Sequence, residues 1–428
     1  MASARQPIAV IGTGYVGLVT AAGFAELGSD VWCVDVDADK IERLKRGEIP
    51  IYEPGLTESV ARSSARLHFS TELAPALEHA QLLFVAVGTP PTYSGDADLS
   101  AVHAVVESMP RSDHHALVMK STVPVGTGAS IKRIFAGHGK EGFAYVSCPE
   151  FLKEGSALED FLKPDRVVVG DDGNWAGDEV VSLYEPLDAP VVRTDIASAE
   201  MVKLAANAFL ATKISFINEI ANVCEETGAD VLEVARGMGL DQRIGGHFLK
   251  PGIGFGGSCF PKDVSALKQL AGNSGYHFQL LTAVIEVNEL QKRRVIGKLQ
   301  KHMGSLVGRR VALLGLAFKA NTDDMREASS LVLAARLQAD GATVTAYDPI
   351  AEHEARKRMR GVQFADSALG AVEGADAAIL VTEWPEFAEL DWREVKARMA
   401  GDLLVDGRNF ADRAAVEGAG FIYEGIGR

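Results

Sequence analysis

The sequence has few cysteines, and they show no pairing pattern. There are four, Cys33, Cys148, Cys224 and Cys259, and none lies in a CxxC motif or in a Cys/His spacing typical of zinc ligands. The pattern therefore argues against disulfides and a structural zinc site, and it favours a reducing compartment such as the cytoplasm. It leaves a reactive role open for one of the four thiols.

Long apolar runs and an excess of positive charge are also missing. No run approaches the roughly 20 apolar residues that span a bilayer, and the first residues show no charged-then-apolar leader, so we expect no membrane anchor and no secretion signal. Forty-three Lys and Arg against 58 Asp and Glu give a net charge of −15. Since nucleic acids and anionic membranes are bound by clustered cations, this balance argues against both as main partners. The ten histidines form no ligand motif such as HExxH, so we expect no bound metal.

What the chain does have is a hydrophobic fraction of 47% over 428 residues, which predicts a globular protein of two or three domains. Short apolar runs alternate with helical patterns near both ends, an order typical of parallel sheets covered by helices. Between them helical periodicity dominates, with long helices expected over 199–227 and 280–299. We therefore predict an α/β fold with two doubly wound, Rossmann-like domains, 1–197 and 303–428, joined by a central helical domain, 198–302, that contains a long connecting helix.

A glycine-rich turn near the N-terminus predicts a dinucleotide site. Gly12-Thr-Gly-Tyr-Val-Gly17 follows an apolar strand, opens a helix and precedes Asp35, which ends the next strand. In this setting Gly12 allows a tight turn, Gly14 lets a pyrophosphate approach the backbone, and Gly17 permits close helix packing. An acid at position 35 binds ribose hydroxyls and repels a 2′-phosphate, so the motif favours NAD over NADP. A bare structural turn is the alternative interpretation.

The corresponding turn of the last domain is Gly315-Leu-Ala-Phe-Lys319. It lacks the glycine fingerprint. We therefore expect this domain to bind something other than a dinucleotide, or nothing.

A second glycine-rich stretch contains Cys259. In Gly256-Gly-Ser-Cys-Phe-Pro-Lys-Asp263, Pro261 suits a first helical position, which would place Cys259 at a helix N-terminus where the dipole favours the thiolate. Asp263 would lie one turn further on. The context favours a nucleophile over the usual small buried cysteine, an interpretation that we keep for the other three.

A nucleophilic cysteine has a specific use in an NAD enzyme. An aldehyde carbon must gain a fourth substituent before a hydride can leave it, and a thiolate supplies that substituent by forming a thiohemiacetal. Its oxidation gives a thioester, which water hydrolyses to a carboxylate.

Two further pairs of polar residues are four positions apart. They are Glu150 with Glu154, and Lys203 with Asn207, so each pair is expected to share one face of a helix. A solvated helix surface is the alternative. Because Lys203 and Asn207 interrupt a mostly apolar helix, we expect them to have buried partners.

Taken together, these motifs resemble the UDP-glucose/GDP-mannose dehydrogenase family over nearly the whole chain. The matching segments, in order, are Gly12–Gly17, Val87–Pro90, Ser121–Gly126, Cys148–Gly155, Lys203 with Asn207, Gly254–Asp263 and Gly315–Lys319 with Arg326. The resemblance implies a two-step, NAD-dependent oxidation of a sugar C6 alcohol to a carboxylate, without release of the aldehyde. Cys148 departs from the pattern, since many relatives carry Asn there.

The resemblance also implies roles for single residues. Cys259 resembles the nucleophile, Lys203 the cation that stabilises oxyanion charge, and Glu150 the carboxylate that assists thioester hydrolysis. Asn207 and Asp263 resemble the groups that position a water and the substrate, and Thr122 completes the catalytic set. The implied cofactor contacts are Gly12, Gly14, Tyr15, Val16, Gly17, Asp35, Lys40, Thr89, Thr122, Glu154, Lys262 and Arg326. The implied nucleotide-sugar contacts are Glu150, Phe151, Leu152, Lys153, Glu154, Lys203, Asn207, Arg243, Lys250, Gly254, Phe255, Gly256, Cys259, Phe318, Lys319 and Arg408.

Within this set, Arg243 resembles an arginine that reaches the substrate from the neighbouring subunit of a homodimer built on the central helices.

Three alternatives stay open for the activity. GDP-mannose and UDP-N-acetylhexosamine dehydrogenases share the main motifs, and the form Pro149-Glu-Phe-Leu-Lys-Glu154 favours UDP-glucose by resemblance only. A single-step β-hydroxyacid dehydrogenase predicts no second α/β domain and no use for Cys259. A silent NAD-sensing or scaffold protein is disfavoured by the intact set of polar residues.

Overall fold

The computed structural model describes residues 5–428, and its first sheet has eight strands. These are β1 (Arg5–Ile11), β2 (Ser29–Val34), β3 (Leu67–Ser70), β4 (Leu82–Val85), β5 (Ala116–Met119), β6 (Ala144–Ser147), β7 (Val167–Gly170) and β8 (Val191–Thr194). Their order is β3-β2-β1-β4-β5-β6-β7-β8, and every neighbouring pair is parallel except β6 with β7. In the central strand β1, Ile8 and Val10 join the core on one face, and Ala9 and Ile11 the core on the other. Burial on both faces accounts for the unbroken apolar run in this strand.

Helices cover both faces of this sheet. They are α1 (Tyr15–Glu26), α2 (Ala38–Lys45), α3 (Leu56–Arg62), α4 (Ala74–His79), α5 (Ser100–Ser108), α6 (Thr127–Gly137), α7 (Ala157–Leu162) and α8 (Trp175–Tyr184). Two short 3-10 helices, Ser64–Arg66 and Glu185–Leu187, complete this part of the chain.

The middle of the chain is helical, as predicted. Its helices are α9 (Ile196–Thr227), α10 (Val231–Gly239), α11 (Phe260–Asn273), α12 (Gln279–Gln291) and α13 (Arg294–Met303). The long helix expected over 199–227 is α9, but the single helix expected over 280–299 is wrong, because it is divided into α12 and α13. At the division the Arg293 N–H bonds to the Leu290 carbonyl at 3.0 Å, a tighter turn than the α-helix allows. Lys292 stays 1% exposed there and pairs with Glu289 at 2.8 Å.

The second sheet follows α13. Its strands are β9 (Arg310–Leu314), β10 (Thr343–Tyr347), β11 (Gln363–Phe364), β12 (Ala377–Leu380), β13 (Leu403–Asp406) and β14 (Ile422–Glu424). All are parallel, in the order β11-β10-β9-β12-β13-β14, which repeats the order of the first six strands of the first sheet. The helices around it are α14 (Ser329–Ala339), α15 (Glu352–Arg358), α16 (Ala368–Ala371), α17 (Pro385–Ala388), α18 (Trp392–Arg398) and α19 (Arg413–Gly418). The predicted pair of Rossmann-like sheets with a helical middle is therefore confirmed.

The chain divides into two compact units. The first contains the residues up to Ala206 together with Gln269–Tyr276, and the second contains Asn207–Lys268 and His277–Arg428. The boundaries of the three domains predicted above stay a prediction. In the part of the chain that is described, no helix is both long and apolar enough to cross a membrane.

Candidate active site

The glycine turn after β1 forms an open cradle in the first unit. Gly12 has φ +95°, and a Cβ there would lie 2.7 Å from the Ala86 carbonyl oxygen. A Cβ at Gly17 would lie 1.8 Å from the Gly12 oxygen, so helix α1 packs directly on the turn. At Gly14, by contrast, no described atom lies within 4 Å of a Cβ. The turn therefore fits the pyrophosphate of a dinucleotide at the N-terminus of α1, where backbone N–H groups attract phosphate.

Asp35 lies beside this turn, at the end of β2. Its carboxylate accepts hydrogen bonds from the Thr13 N–H at 2.8 Å, the Asp37 N–H at 3.0 Å and the Lys40 ammonium at 2.9 Å. Burial alone would raise the pKa of Asp35, but these donors hold the pKa below its ordinary value. The carboxylate is thus ionised at neutral pH, the state that binds ribose hydroxyls and repels a 2′-phosphate.

Tyr15 leads to a residue that the sequence analysis missed. Its hydroxyl donates to the buried Glu53 carboxylate, which also accepts the backbone N–H groups of Gly155 at 2.6 Å and Ala157 at 2.7 Å. Burial and the Glu53 carboxylate raise the pKa of Tyr15, so the phenol keeps its proton. Glu53 therefore joins the glycine turn to the segment that carries Glu154. A single acid in a loop before Pro54 gave no periodic signal that could reveal it.

Three neighbouring strands end in predicted site residues. Thr89 follows β4, Thr122 follows β5 and Glu150 follows β6, at the carboxyl edge where open α/β sheets bind ligands. The Thr89 hydroxyl donates to the Thr122 carbonyl at 2.8 Å, so the first two loops are tied together. Glu150 is only 4% exposed and accepts the Leu152 N–H at 2.6 Å.

The Glu150 carboxylate has a second partner, Lys203 of α9. The two charged atoms are 3.0 Å apart, and both side chains are 4% exposed. The Phe151 ring lies 5.3 Å from the Lys203 ammonium and 3.6 Å from the Arg166 guanidinium, so cations cover this ring. The buried partner expected for Lys203 is therefore present.

One prediction about this segment is wrong. Glu150 and Glu154 do not share a helix face, because the chain is not helical from Cys148 to Ser156. Pro149 disfavours helical geometry in the residue before it, and Gly155 has φ +84°. Lys153, in the same segment, pairs with Asp160 at 3.0 Å.

Glu200 is a second residue that the sequence analysis missed. It is 2% exposed and accepts the N–H groups of Gly126 and Gly128 at 2.7 Å each, which caps α6 just after the Thr122 loop. Burial raises the pKa of Glu200. Its position, three residues before Lys203 on an apolar helix, was a signal that could have found it.

In the second unit, Cys259 immediately precedes α11, as predicted. The Asp263 N–H bonds to the Cys259 carbonyl at 2.8 Å, and the Ser258 hydroxyl lies 3.5 Å from the sulfur. Asp263 is 1% exposed, and its carboxylate accepts the Asn207 amide and the Lys262 ammonium at 2.6 Å each. The buried partner expected for Asn207 is therefore Asp263. Lys262, a predicted cofactor contact, donates to the same carboxylate.

The loop before Cys259, residues 252–257, depends on its glycines. Gly254 and Gly257 have φ of +84° and +81°. A Cβ at Gly256 would lie 2.3 Å from the Glu327 carbonyl oxygen. The Phe318 ring packs on Gly257, with the Lys319 ammonium 5.4 Å from the ring. The loop thus approaches the 318–327 segment more closely than any side chain would permit.

Three buried side-chain amides form hydrogen bonds to the main chain of the loop 252–257. The Asn288 amide accepts the Phe255 N–H at 2.7 Å and donates to the Phe255 carbonyl at 3.0 Å. The Gln291 amide donates to the Gly252 carbonyl at 2.9 Å. The Asn218 amide oxygen accepts the Gly252 N–H, also at 2.9 Å. These three residues, which we call the amide clasp, fix the path of the main chain.

The remaining predicted contacts of the second unit differ in their surroundings. Arg408 donates to the carbonyls of Gly254 at 3.0 Å and Phe318 at 3.2 Å. Arg326 pairs with Asp324 at 2.8 Å, and Lys250 is exposed. Arg243 pairs with Asp241 at 2.6 Å on an exposed segment, and its side chain is 89% exposed. Arg243 is thus not part of the buried cluster around Asp263.

A glycine cradle with an ionised acid at the end of the second strand is typical of a domain that binds NAD, and the buried Lys203–Glu150 pair of the same unit adds groups that can move protons, as expected of an NAD-dependent oxidoreductase. Three domain models of the UDP-glucose/GDP-mannose dehydrogenase family match the chain: the NAD binding domain over residues 6–188, the central domain over 197–290 and the UDP binding domain over 312–413. The protein belongs to this family.

Individual relatives resemble the chain over nearly its full length. UDP-glucose 6-dehydrogenase TuaD of Bacillus subtilis is 48% identical over 99% of this chain and 93% of its own. UDP-glucose 6-dehydrogenase of Pseudomonas aeruginosa is 48% identical over 98% and 97%. The solved UDP-glucose dehydrogenase of Pyrobaculum islandicum superposes with a TM-score of 0.92 at 39% identity, covering 100% of this chain and 98% of that one.

Proposed function

We propose that the protein oxidises C6 of UDP-glucose to the carboxylate in two successive two-electron steps, giving UDP-glucuronate. The observation that carries this proposal is the position of Cys259 at the N-terminus of the 14-residue helix α11, with Asp263 buried one turn further on. A thiol in this setting is favoured as the thiolate. The names of the curated relatives support UDP-glucose as the sugar nucleotide.

NAD, held by the turn around Gly14 with Asp35 against its ribose, supplies a hydride acceptor for each step. The chain supplies the groups that bind, orient and move protons. The cradle fits this cofactor because Gly14 leaves space for close approach, whereas Gly12 and Gly17 have none to spare. We assign further cofactor contacts to Thr89, Thr122 and the segment around Glu154.

In the second oxidation Cys259 acts as the nucleophile. Its sulfur adds to the aldehyde carbon to give a thiohemiacetal, and removal of a hydride and a proton leaves a thioester. Lys203 stabilises the negative charge that develops on the sugar oxygen. Glu150 orients Lys203 and takes a proton from the water that attacks the thioester, after which the thiolate leaves. Asn207 and Asp263 position that water and the sugar.

The stoichiometry of NADH tests this assignment. The parent protein should form two NADH per UDP-glucose, whereas Cys259→Ser should fold, bind NAD and lose almost all net formation of the uronic acid. Cys33→Ala is the matched control, because Cys33 lies fully buried on β2. One NADH per sugar in the parent would instead indicate a single-step dehydrogenase, and two NADH at near-parental rate in Cys259→Ser would exclude the thioester.

The identity of the sugar needs a separate experiment. UDP-glucose, GDP-mannose and UDP-N-acetylhexosamines should be compared at equal concentration for NADH formation. We expect a kcat/KM for UDP-glucose at least about tenfold above the others, a difference of about 1.4 kcal/mol in transition-state binding. A preference for another sugar nucleotide would keep the chemistry and replace the substrate.

We also propose a homodimer built on the central helices. Phe209, Phe216 and Val223 recur every seven residues along α9, and 66%, 49% and 57% of their surfaces are exposed. An apolar stripe of this kind is typical of a helix that is covered by a partner. In this arrangement Arg243 reaches the sugar nucleotide of the other subunit, so Arg243→Ala should raise the KM for UDP-glucose and leave NAD binding unchanged.

Sedimentation tests the dimer directly. Phe216→Asp should give monomers, whereas the parent should sediment as a dimer or a larger assembly. A fully active parental monomer would remove the basis of the proposal. We also propose a cytoplasmic location, supported by the four cysteines, none of which forms a disulfide.

A further inference from the structure

Three buried side chains outside the proposed catalytic set meet at the carboxyl edge of the first sheet. Lys120 follows β5 and Cys148 follows β6, and the register that pairs Met119 with Ser147 makes these two residues neighbours. The Cys148 N–H bonds to the Met119 carbonyl at 2.9 Å, which extends the ladder to this point. Tyr184, the last residue of α8, covers them.

The cluster combines an amine, a thiol and a phenol in a dry environment. The Lys120 nitrogen lies 2.9 Å from the Tyr184 hydroxyl and 3.7 Å from the Cys148 sulfur, and the sulfur lies 3.9 Å from the same hydroxyl. The residues are 5%, 0% and 4% exposed. A buried ammonium usually requires a carboxylate partner, but the hydrogen bonds that Lys120 makes here go to a phenol and a thiol. The site therefore tolerates a chemical change that removes the lysine charge.

We propose that Lys120 and Cys148 form a covalent nitrogen–oxygen–sulfur link when dioxygen oxidises them. The ammonium first releases one proton. One N–H bond, the S–H bond and the O–O bond then break, one oxygen atom bonds to both sulfur and nitrogen, and the other leaves as water. Sulfur and nitrogen each lose two electrons, and the oxygen molecule gains all four.

The geometry selects this product over the usual fates of a thiol. The two reacting atoms are in near-contact, and the β5–β6 register holds their backbones side by side. Full burial of Cys148 excludes glutathione and other large thiols, whereas dioxygen is small enough to enter during local opening. Thiol oxidation normally requires exposure, so the neighbouring amine is what traps the oxidised sulfur here.

The link would tie together two loops that carry assigned residues. Thr122 and Glu150 each lie two positions beyond a linked residue. A bond between the strand ends would restrict both loops and remove a positive charge next to them.

Peptide mass spectrometry on the whole protein tests the link. Reduced protein is transferred to air-saturated or argon-flushed buffer and digested with trypsin under non-reducing conditions. In air we expect peptide 112–132, uncleaved after Lys120, joined to peptide 141–153, with one oxygen atom gained and two hydrogen atoms lost. The product should be absent under argon and should disappear after dithiothreitol, which returns the amine, the thiol and water.

Matched variants separate this link from other oxidations. Lys120→Arg keeps the charge and Cys148→Ser keeps the size, and both should lack the product, whereas Cys33→Ala should retain it. Oxidation of Cys148 to a sulfinic acid or a disulfide without Lys120, or no reaction in the folded parent, would overturn the proposal. Identification of the joined peptides in the parent does not depend on whether either variant folds.

Discussion

The two parallel sheets have the same strand order, yet the turn after the first strand is built differently in each. Gly12 and Gly315 begin the two turns with φ of +95° and +91°, and a Cβ at either would lie within 3 Å of the chain that follows β4 or β12. Beyond that point the first turn leaves open space at Gly14, whereas the second is filled by Leu316 and Ala317, both buried. The tight turn is thus a feature that both sheets share, whereas the open space at Gly14 occurs only in the turn to which we assign the cofactor.

The acid after the second strand shows the same contrast. Asp35 is 9% exposed beside the cradle, whereas Asp348, at the end of β10, is 2% exposed. One Asp348 oxygen accepts the N–H groups of Leu316 at 2.6 Å and Ala317 at 3.1 Å and the Trp384 indole at 3.0 Å. The same residue type at the same topological position is our proposed ribose contact in one sheet and a buried structural plug, accepting main-chain N–H groups, in the other.

The largest effect that this comparison predicts is at Asp348. Asp348→Ala removes the acceptor of four backbone N–H groups and an indole N–H, since the second Asp348 oxygen accepts the N–H groups of Ile350 and Ala351, and it should lower the free energy of unfolding by about 4 kcal/mol. Denaturant unfolding measures the loss, and Asp348→Asn, which keeps an oxygen, should lose less. An unchanged midpoint in Asp348→Ala would show that Asp348 is not a structural plug.

A somewhat smaller effect is expected from glycines of the first turn. Gly17→Ala places a methyl group against the Gly12 carbonyl and should cost about 3 kcal/mol of stability. Gly14→Ala meets nothing, so its Tm should stay at the parental value while NAD affinity falls about tenfold. Calorimetry of unfolding and of NAD binding separates the two. Loss of stability in Gly14→Ala would contradict the assignment of Gly17 to helix packing and of Gly14 to cofactor binding alone.

Asp35→Ala should change cofactor choice more than stability. Removing the ionised carboxylate takes away a ribose acceptor and the charge that repels a 2′-phosphate, so the preference for NAD over NADP should shrink about tenfold. The ratio of kcat/KM values for the two cofactors measures it. A parent protein that already uses NADP as well as NAD would contradict this role.

The smallest effect concerns acid stability. Because hydrogen bonds hold the pKa of Asp35 below its ordinary value, its contribution to stability is present above an unfolded pKa of about 3.9 and is lost as pH falls through the folded pKa. Asp35→Asn should therefore lose less stability than the parent between about pH 5 and pH 3. Asp39→Asn, an exposed acid on α2, is the control and should follow the parent.

Sequence patterns predicted the features that are local or periodic. The strand–turn–helix around Gly12, the helix start after Cys259 and the length of α9 each follow from residues within one or two turns. What failed was also local: the Glu150–Glu154 spacing suggested a helix, but the segment follows Pro149, the Glu150 carboxylate accepts the Leu152 N–H, and the chain turns at 154–155 without forming a helix.

Contacts between distant segments could not be predicted from the sequence. Glu53 reaches Gly155, 102 residues away, and Asn288 reaches Phe255, 33 residues away. Neither spacing follows a helix or a strand period, so only the folded chain reveals them. A buried charged residue such as Glu200 can be recognised from the sequence, but its partner cannot, since a charge on an apolar helix face requires a partner that the sequence does not name.

The amide clasp around residues 252–257 has a consequence for how this protein can change. On this loop, Asn288 bonds to the main chain of Phe255, and Gln291 and Asn218 bond to the main chain of Gly252. The main chain at these two positions is therefore held directly by buried amides, while the Phe255 side chain, 8% exposed, packs edge-on against the Phe260 ring at 5.8 Å. A change at position 255 would therefore act through the packing of its side chain on the first residue of α11, next to Cys259, while the main chain keeps the hydrogen bonds of the amide clasp.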